Sequence, residues 1–223
     1  IGGGAVFFHL MSKYDIENSY ISDVNEELIL TYKVIQKEPK KLIKALKTIS
    51  KDYKSHNKSK EELKEFYYNI RTKYNDALLN FDFNFDKCSK EHIIRASQMI
   101  FLNKTCFNGL FRVNKKGEFN VPCAYPKNPL ICDEDNIMNV SKALKNTTIE
   151  IASYLDCEEL IINSKNKPFV YLDPPYRPLD GSSSFDGYSK FVFNDDSQKE
   201  LGEFCKRISV NANVLLSNSD PTN

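Results

Sequence analysis

The sequence predicts an α/β fold, a doubly wound parallel sheet interrupted by a long, mainly helical insertion. Three observations predict it. A glycine turn, Gly2-Gly3-Gly4, leads into an apolar helix and then a short strand that stops at an acid, Asp23, the order of a βαβ unit. Between residues 39 and 145 the apolar spacing becomes helical and then hairpin-like. After residue 145, short apolar runs again end in polar clusters, at Asp156-Cys157, at Asp173-Pro-Pro-Tyr176 and at Ser217-Asn218-Ser219-Asp220. Residues 1–38 and 146–223 therefore read as one α/β unit, and 39–145 as an insertion into it.

Each element has a local cause. Ala5 opens a helix through Val6, Phe7, Phe8 and Leu10, and Ser19 to Ser22 forms the strand before Asp23. A helix from about Asn25 to Lys37 places Leu28, Ile29, Tyr32 and Ile35 on one face. In the insertion, Leu42, Leu46, Ile49 and Tyr53 make an apolar stripe. Ser59 with Glu62 makes a capping box, followed by Leu63, Phe66, Tyr67, Ile70 and Tyr74. A third helix runs from near Ser89 through Ile93, Ile94, Met99 and Ile100. Such stripes are most simply core. Phe111 and Val113, then Phe119 and Val121, alternate about Asn114-Lys115-Lys116-Gly117, a hairpin with one apolar face. Its other face carries Leu110, Arg112, Glu118 and Asn120. Pro122 to Asn136 reads as a long loop. Thr148 to Tyr154 and Phe169 to Leu172 read as strands, Leu201 to Ile208 as a helix, and Val214 to Leu216 as a last strand.

The chain has 223 residues, 41% hydrophobic and 27% charged, with net charge +1. That composition belongs to a globular protein and excludes a disordered or polycationic chain. From Lys33 to Lys73, however, thirteen Lys or Arg face five Asp or Glu. Such a block reads either as solvated helix faces or as one side that meets a polyanion. The six cysteines form no Cys-x-x-Cys pair and lie at no zinc spacing with His9, His56 or His92. They predict reduced thiols of a cytoplasmic protein, without disulfides or metal. No apolar run reaches membrane-spanning length, and no signal peptide is visible. IGGGAVFF begins inside a strand-to-helix turn and SNSDPTN stops just after a strand, so a chain incomplete at both ends is expected.

In open α/β sheets, ligands lie beyond the carboxyl ends of the strands. Asp23 follows the first glycine at a distance suited to binding ribose hydroxyls, and glycines let a ligand approach the backbone. GGGA lacks the spacing used for pyrophosphate, so a nucleoside cofactor fits better than a dinucleotide; a glycine turn needed only for packing remains the alternative. Asp173-Pro174-Pro175-Tyr176 is sharper. Two prolines end the strand and stiffen the turn. The Asp173 carboxylate and Pro174 carbonyl become fixed acceptors beside the aromatic face of Tyr176. That set suits an exocyclic amine on a planar base, while an ordinary turn closing a strand is the bland reading.

Taken together, these stretches resemble the Dam-type DNA adenine-N6 methyltransferases, the group that includes modification enzymes of GATC restriction systems. GGGAVFF resembles the family's S-adenosylmethionine loop and YISDVNEELI its ribose-binding strand end. FYYNIR (66–71) and NGLFRVNKKGEFNVP resemble its DNA-recognition insertion. DPPY resembles its catalytic tetrapeptide, and LLSNSD a late strand motif. The resemblance implies a Rossmann-like S-adenosylmethionine-dependent methyltransferase sheet with an inserted, mainly helical DNA-recognition domain carrying a β-hairpin.

It further implies roles. Gly2, Gly3 and Gly4 line the cofactor, Asp23 holds its ribose, and Asp156 with Cys157 meets its adenine. Asp173, which also adjoins the cofactor, and the Pro174 carbonyl orient the target amine toward the methyl donor by geometry and electrostatics. Tyr176 stacks on a base swung out of the duplex. Arg112 reads a guanine by a bidentate contact, with Leu110 and Pro122 as apolar neighbours. Asn114, Lys115, Lys116 and Lys127 also touch the DNA, and lysines of the helical block face phosphates. The partners implied are double-stranded DNA, S-adenosylmethionine and, at the system level, a cognate restriction endonuclease; a monomer and no metal are expected. Two positions depart from the pattern: Cys157 stands where an aromatic is common, and CAYPKNP lacks an arginine near Tyr125.

Four alternatives fit parts of the sequence. Pro122-Cys123 would fit a cytosine-C5 methyltransferase, but its cysteine follows the hairpin instead of a strand of the cofactor unit. DPPY chemistry also permits RNA or cytosine-N4 as target, against which the hairpin argues. A nucleotide-dependent oxidoreductase would explain the glycine turn but neither DPPY nor the basic insertion. A catalytically inactive DNA-binding fragment stays open.

Overall fold

The computed structural model describes residues 1–56, 59–176 and 193–218. In chain order it contains α1 (Ala5–Lys13), β1 (Ser19–Asp23), α2 (Glu26–Lys37), α3 (Pro39–Ser55), α4 (Lys60–Leu78) and α5 (Lys90–Thr105). These are followed by α6 (Glu134–Ala143), β2 (Thr147–Ile151), α7 (Glu158–Ile162), β3 (Phe169–Leu172), α8 (Asp195–Ile208) and β4 (Asn213–Leu216).

The helix starts follow from their caps. Asn25 accepts from the amides of Glu27 and Leu28, with Glu26 and Glu27 in the electropositive first turn of α2. Pro39 occupies the first position of α3, where its missing N–H costs nothing. Ser89 and His92 form a reciprocal box at α5, and Asn194 and Ser197 do the same at α8. At α4, Ser59 accepts from the Glu62 amide, but the return bond expected from the Glu62 side chain is absent among the described residues.

β1 and β2 pair in parallel, Ser19 opposite Thr147 through Asp23 opposite Ile151. β3 and β4 pair in parallel, Phe169 opposite Asn213 through Leu172 opposite Leu216. α8 is the crossover between β3 and β4, as βαβ geometry requires. Neighbouring residues of β1 serve opposite layers, as strand alternation dictates. Ile21 joins the large core with α2 to α6 and the hairpin. Tyr20 packs on a smaller core built from Cys157, Ile161, Leu201, Phe204 and Ile208, which also receives Val170 and Leu172 of β3.

Helices α3, α4 and α5 share a dense aromatic centre within that large core. Tyr53, Tyr67 and Phe101 are fully buried, and Phe66 and Tyr53 meet Phe101 edge-on at 5.7 Å each, the favoured aromatic arrangement.

The expected hairpin forms, with Val113 opposite Phe119 in an antiparallel bridge and Phe111, Phe119 and Val121 buried. Four expectations need correction. The described strands form two two-stranded parallel sheets, not one continuous sheet, and Phe169, Leu215 and Leu216 stay exposed, whereas a doubly wound parallel sheet covers both faces. The strand expected to reach Tyr154 ends at Ile151, and Leu155–Cys157 is a short 3-10 turn. α6 starts inside the expected loop, capped by Asp133, with Ile137 buried and the buried Leu144 at its C-cap. Ile94 is exposed, and Phe101 and Leu102 fill the core in its place.

Candidate active site

Asp23, Asp156, Asp173 and Ser217 lie at or just beyond the carboxyl ends of parallel strands, whereas Ser219 and Asp220 lie outside the described residues. At the end of β1 the Asp23 carboxylate accepts from two amides, Gly2 N at 2.9 Å on Oδ2 and Asn25 N at 2.9 Å on Oδ1. The glycine turn and Asp23 thus form one corner. The Tyr32 hydroxyl donates to Gly2 O at 3.0 Å and closes it from α2. Burial, and then the Asp23 charge, push the Tyr32 phenol up to about 12, so it stays a donor at neutral pH.

The three glycines differ in role. Gly4 has φ +74, and a Cβ there would lie 2.6 Å from Phe8 and 2.8 Å from the Tyr32 hydroxyl; packing and backbone both require glycine. A Cβ on Gly2 or Gly3 would meet nothing within 4 Å. The turn therefore has open space beside its backbone, next to a carboxylate with lone pairs to spare. These residues fit a nucleoside ligand that lies against the glycines and bonds to Asp23.

Beyond β2, Asp156 is exposed and accepts from the Ser153 amide at 2.7 Å. Cys157 is buried, donates to Ser153 O at 3.4 Å and lies 3.6 Å from Ser22 Oγ of β1. These contacts draw the turn against the Asp23 strand.

At the end of β3, Asp173, Pro175 and Tyr176 are exposed and Pro174 is half-buried. The Tyr176 hydroxyl donates to Asp173 Oδ1 at 3.2 Å and shares a hydrogen bond with Ser217 Oγ at the end of β4. Gln198 of α8 donates to Pro175 O at 3.2 Å, and Ser217 N donates to Leu172 O at 2.9 Å. The corner is thus braced from two elements, with Asp173 and the Tyr176 ring at the surface.

The hairpin is held by one face of α4. Tyr67 donates to Val121 O at 2.8 Å and Arg71 to the same oxygen at 3.3 Å. Asn75 clamps Phe119, donating to its carbonyl at 3.0 Å and accepting from its amide at 2.9 Å. Residues four apart on a helix share a face, so this series acts as a side-chain ladder. Phe111, Phe119 and Val121 are buried, while Leu110 is exposed and so are Arg112, Lys115, Lys116, Pro122 and Lys127. Arg112 Nε donates to Asn120 Oδ1 at 2.8 Å, which orients the guanidinium from the opposite strand. Asn114 orders the turn, bonding to Glu118 and to the Lys116 amide.

A family model described as D12 class N6 adenine-specific DNA methyltransferase matches residues 1–223. The chain belongs to that family. It is 45% identical to the Type II methyltransferase M.MjaIII of Methanocaldococcus jannaschii, over 98% of this chain and 71% of the relative. It is 36% identical to the Type II methyltransferase M1.LlaDCHI of Lactococcus lactis subsp. cremoris, over 98% of this chain and 70% of the relative. A DNA adenine methylase of Vibrio cholerae is 30% identical over 100% of this chain and 71% of the relative. The protein is an adenine-specific DNA methyltransferase.

In this methyltransferase, the Pro122-Cys123 pair does not supply a nucleophile. Cys123 is buried and burial pushes its thiol up, the opposite of what thiolate chemistry needs. Among the described residues no group of three or more His, Cys, Asp or Glu could hold a metal, all six cysteines are free, and no helix is long and apolar enough to cross a membrane. Two supporting residues were not foreseen: Gln198 at the DPPY corner and Asn75 under the hairpin. Ser217 carried two sequence signals, its place after an apolar strand and the LLSNSD stretch; for Asn75 the signal was the four-residue spacing from Tyr67 and Arg71.

Proposed function

We propose that the protein uses S-adenosylmethionine to methylate a flipped adenine in double-stranded DNA, within GATC or a related site. When bound, that cofactor supplies an electrophilic methyl group on a sulfonium. Gly2, Gly3 and Gly4 would lie along it, Asp23 would take its ribose hydroxyls, and Asp156 with Cys157 would adjoin its adenine. The open space beside Gly2 and Gly3, next to Asp23, supports that assignment.

The reading rests above all on the braced corner of Asp173, Pro174, Pro175 and Tyr176. There the Asp173 carboxylate and the Pro174 carbonyl accept from the two N–H bonds of the target amine. Those hydrogen bonds draw electron density toward nitrogen and aim its lone pair, a gain from orientation and preorganised charge. Tyr176 supplies the aromatic face for the extruded base. Its hydroxyl donates to Asp173 and shares a hydrogen bond with Ser217 Oγ, and the two contacts hold that ring beside the carboxylate.

The insertion would read the DNA. Arg112, aimed by Asn120, takes a guanine edge, with Leu110 and Pro122 against neighbouring bases. Asn114, Lys115, Lys116, Lys127 and the lysines of α3 and α4 meet phosphates. The protein would act as a cytoplasmic monomer, with a cognate restriction endonuclease as system partner; the names of two relatives, Type II methyltransferases, favour that setting.

The test is transfer of a radiolabelled methyl group to a mixed duplex library, with modified bases mapped. N6-methyladenine confined to one short motif supports the reading. Label on RNA, on cytosine, or nowhere rejects it.

A further inference from the structure

Arg95 is only 2% exposed although it carries a full charge, and a buried charge must be paired. Its Nε meets both oxygens of Glu27, at 2.8 and 3.0 Å. Its Nη1 donates to Tyr74 O at 3.0 Å. The guanidinium lies over the rings of Tyr74 and Phe81, at 4.2 and 4.6 Å. Arg95 belongs to α5 and Tyr74 to α4 of the insertion, whereas Glu27 belongs to α2, the helix directly after Asp23.

The contacts continue on both sides. Asn25 caps the turn that carries Glu27, and its amide donates to Asp23 Oδ1 at 2.9 Å; the other Asp23 oxygen holds the glycine turn. Toward the insertion, the Tyr74 ring meets Phe119 edge-on at 6.4 Å, and the adjacent Asn75 clamps the Phe119 backbone. An unbroken series of contacts thus joins the Asp23 corner to the hairpin strand. Stability alone is a weak reason for a buried ion pair, because apolar replacements are often as stable.

We propose that Arg95 is a positioning residue that couples DNA engagement at the hairpin to the geometry of the Asp23 corner, so that each ligand tightens binding of the other. This rests on the reading of Asp23 as the cofactor acid and of the hairpin as the DNA reader.

The test uses the intact protein, a cognate duplex and S-adenosylhomocysteine, which cannot transfer a methyl group. Calorimetry measures the Kd of each ligand with and without the other; reciprocity requires the two ratios to agree. The wild-type ratio is expected in the range of about 5–150. Arg95→Lys, which keeps the charge but loses the fork, and Glu27→Gln bring the ratio toward one, while each separate Kd moves far less. Asn75→Ala breaks the hairpin end without touching the ion pair and lowers the ratio as well, so the idea stays testable if the buried variants fail to fold. A wild-type ratio of one, or an unchanged ratio in folded variants, overturns the coupling and leaves the methyltransferase reading intact. Failure of the wild-type protein to bind either ligand removes the functional reading itself.

Discussion

The Gly2 amide donates to the Asp23 carboxylate at 2.9 Å, which welds the start of the glycine turn to the end of β1. Within that turn, Gly3 and Gly4 have opposite tolerances. A Cβ at Gly4 would overlap Phe8 and the Tyr32 hydroxyl at a φ of +74. Gly4→Ala is expected to destabilise by at least about 1–2 kcal/mol from backbone strain alone. Gly3→Ala meets no atom and should change stability by under about 0.5 kcal/mol, yet weaken cofactor binding by intruding on the open space. Thermal melts paired with cofactor titrations check both.

Arg112 is exposed and anchored by Asn120 through Nε. Arg112→Ala should leave the melting temperature unchanged and cost about 1–3 kcal/mol of discrimination at one base pair. Methylation rates across a panel of sites with single base changes measure this. An unchanged preference would remove Arg112 from the readout.

Among the described residues the buried Tyr74 hydroxyl has no hydrogen-bond partner, and burial, followed by the Glu27 charge, raises its pKa well above the usual range. An unmet buried donor costs about 1–3 kcal/mol, so Tyr74→Phe is expected to hold or raise the melting temperature. Tyr67→Phe deletes the buried bond to Val121 O and should lose about 0.5–1.5 kcal/mol. Denaturant unfolding of the pair gives the contrast.

Tyr32 and Tyr53 are each pushed from 10.0 up to about 12, first by burial and then by the charge of Asp23 or the Cys123 thiol respectively. The folded state therefore holds these protons more tightly than the unfolded chain. Their contribution is complete below about pH 10 and is lost as pH rises toward 12. Stability measured by denaturant titration should fall across that window, and Tyr53→Phe should reduce the slope.

Much of this was legible in the residues. The spacing of Leu42, Leu46 and Tyr53 gave α3, and Ser59 and Ser89 marked the starts of α4 and α5, because local caps and periodicity determine helices. Placement of Asp23 and Asp173 at strand ends followed from short apolar runs stopped by polar residues. What escaped depended on distant partners. α6 hid behind Pro122 to Asn136, since Ile137 and Leu144 show their periodicity only once the Asp133 cap is recognised. The ion pair of Arg95 with Glu27 left no local signal, because the two residues lie far apart in sequence. Gln198 and Ser217 brace the DPPY corner through tertiary contacts that no local pattern encodes.

Asp173 bears the central claim, and the most direct measurement compares Asp173→Ala with wild type in the intact protein for both cofactor affinity and N6-adenine methyl transfer. The account predicts cofactor binding within a few fold of wild type and transfer reduced to background. Transfer at the wild-type rate would contradict it.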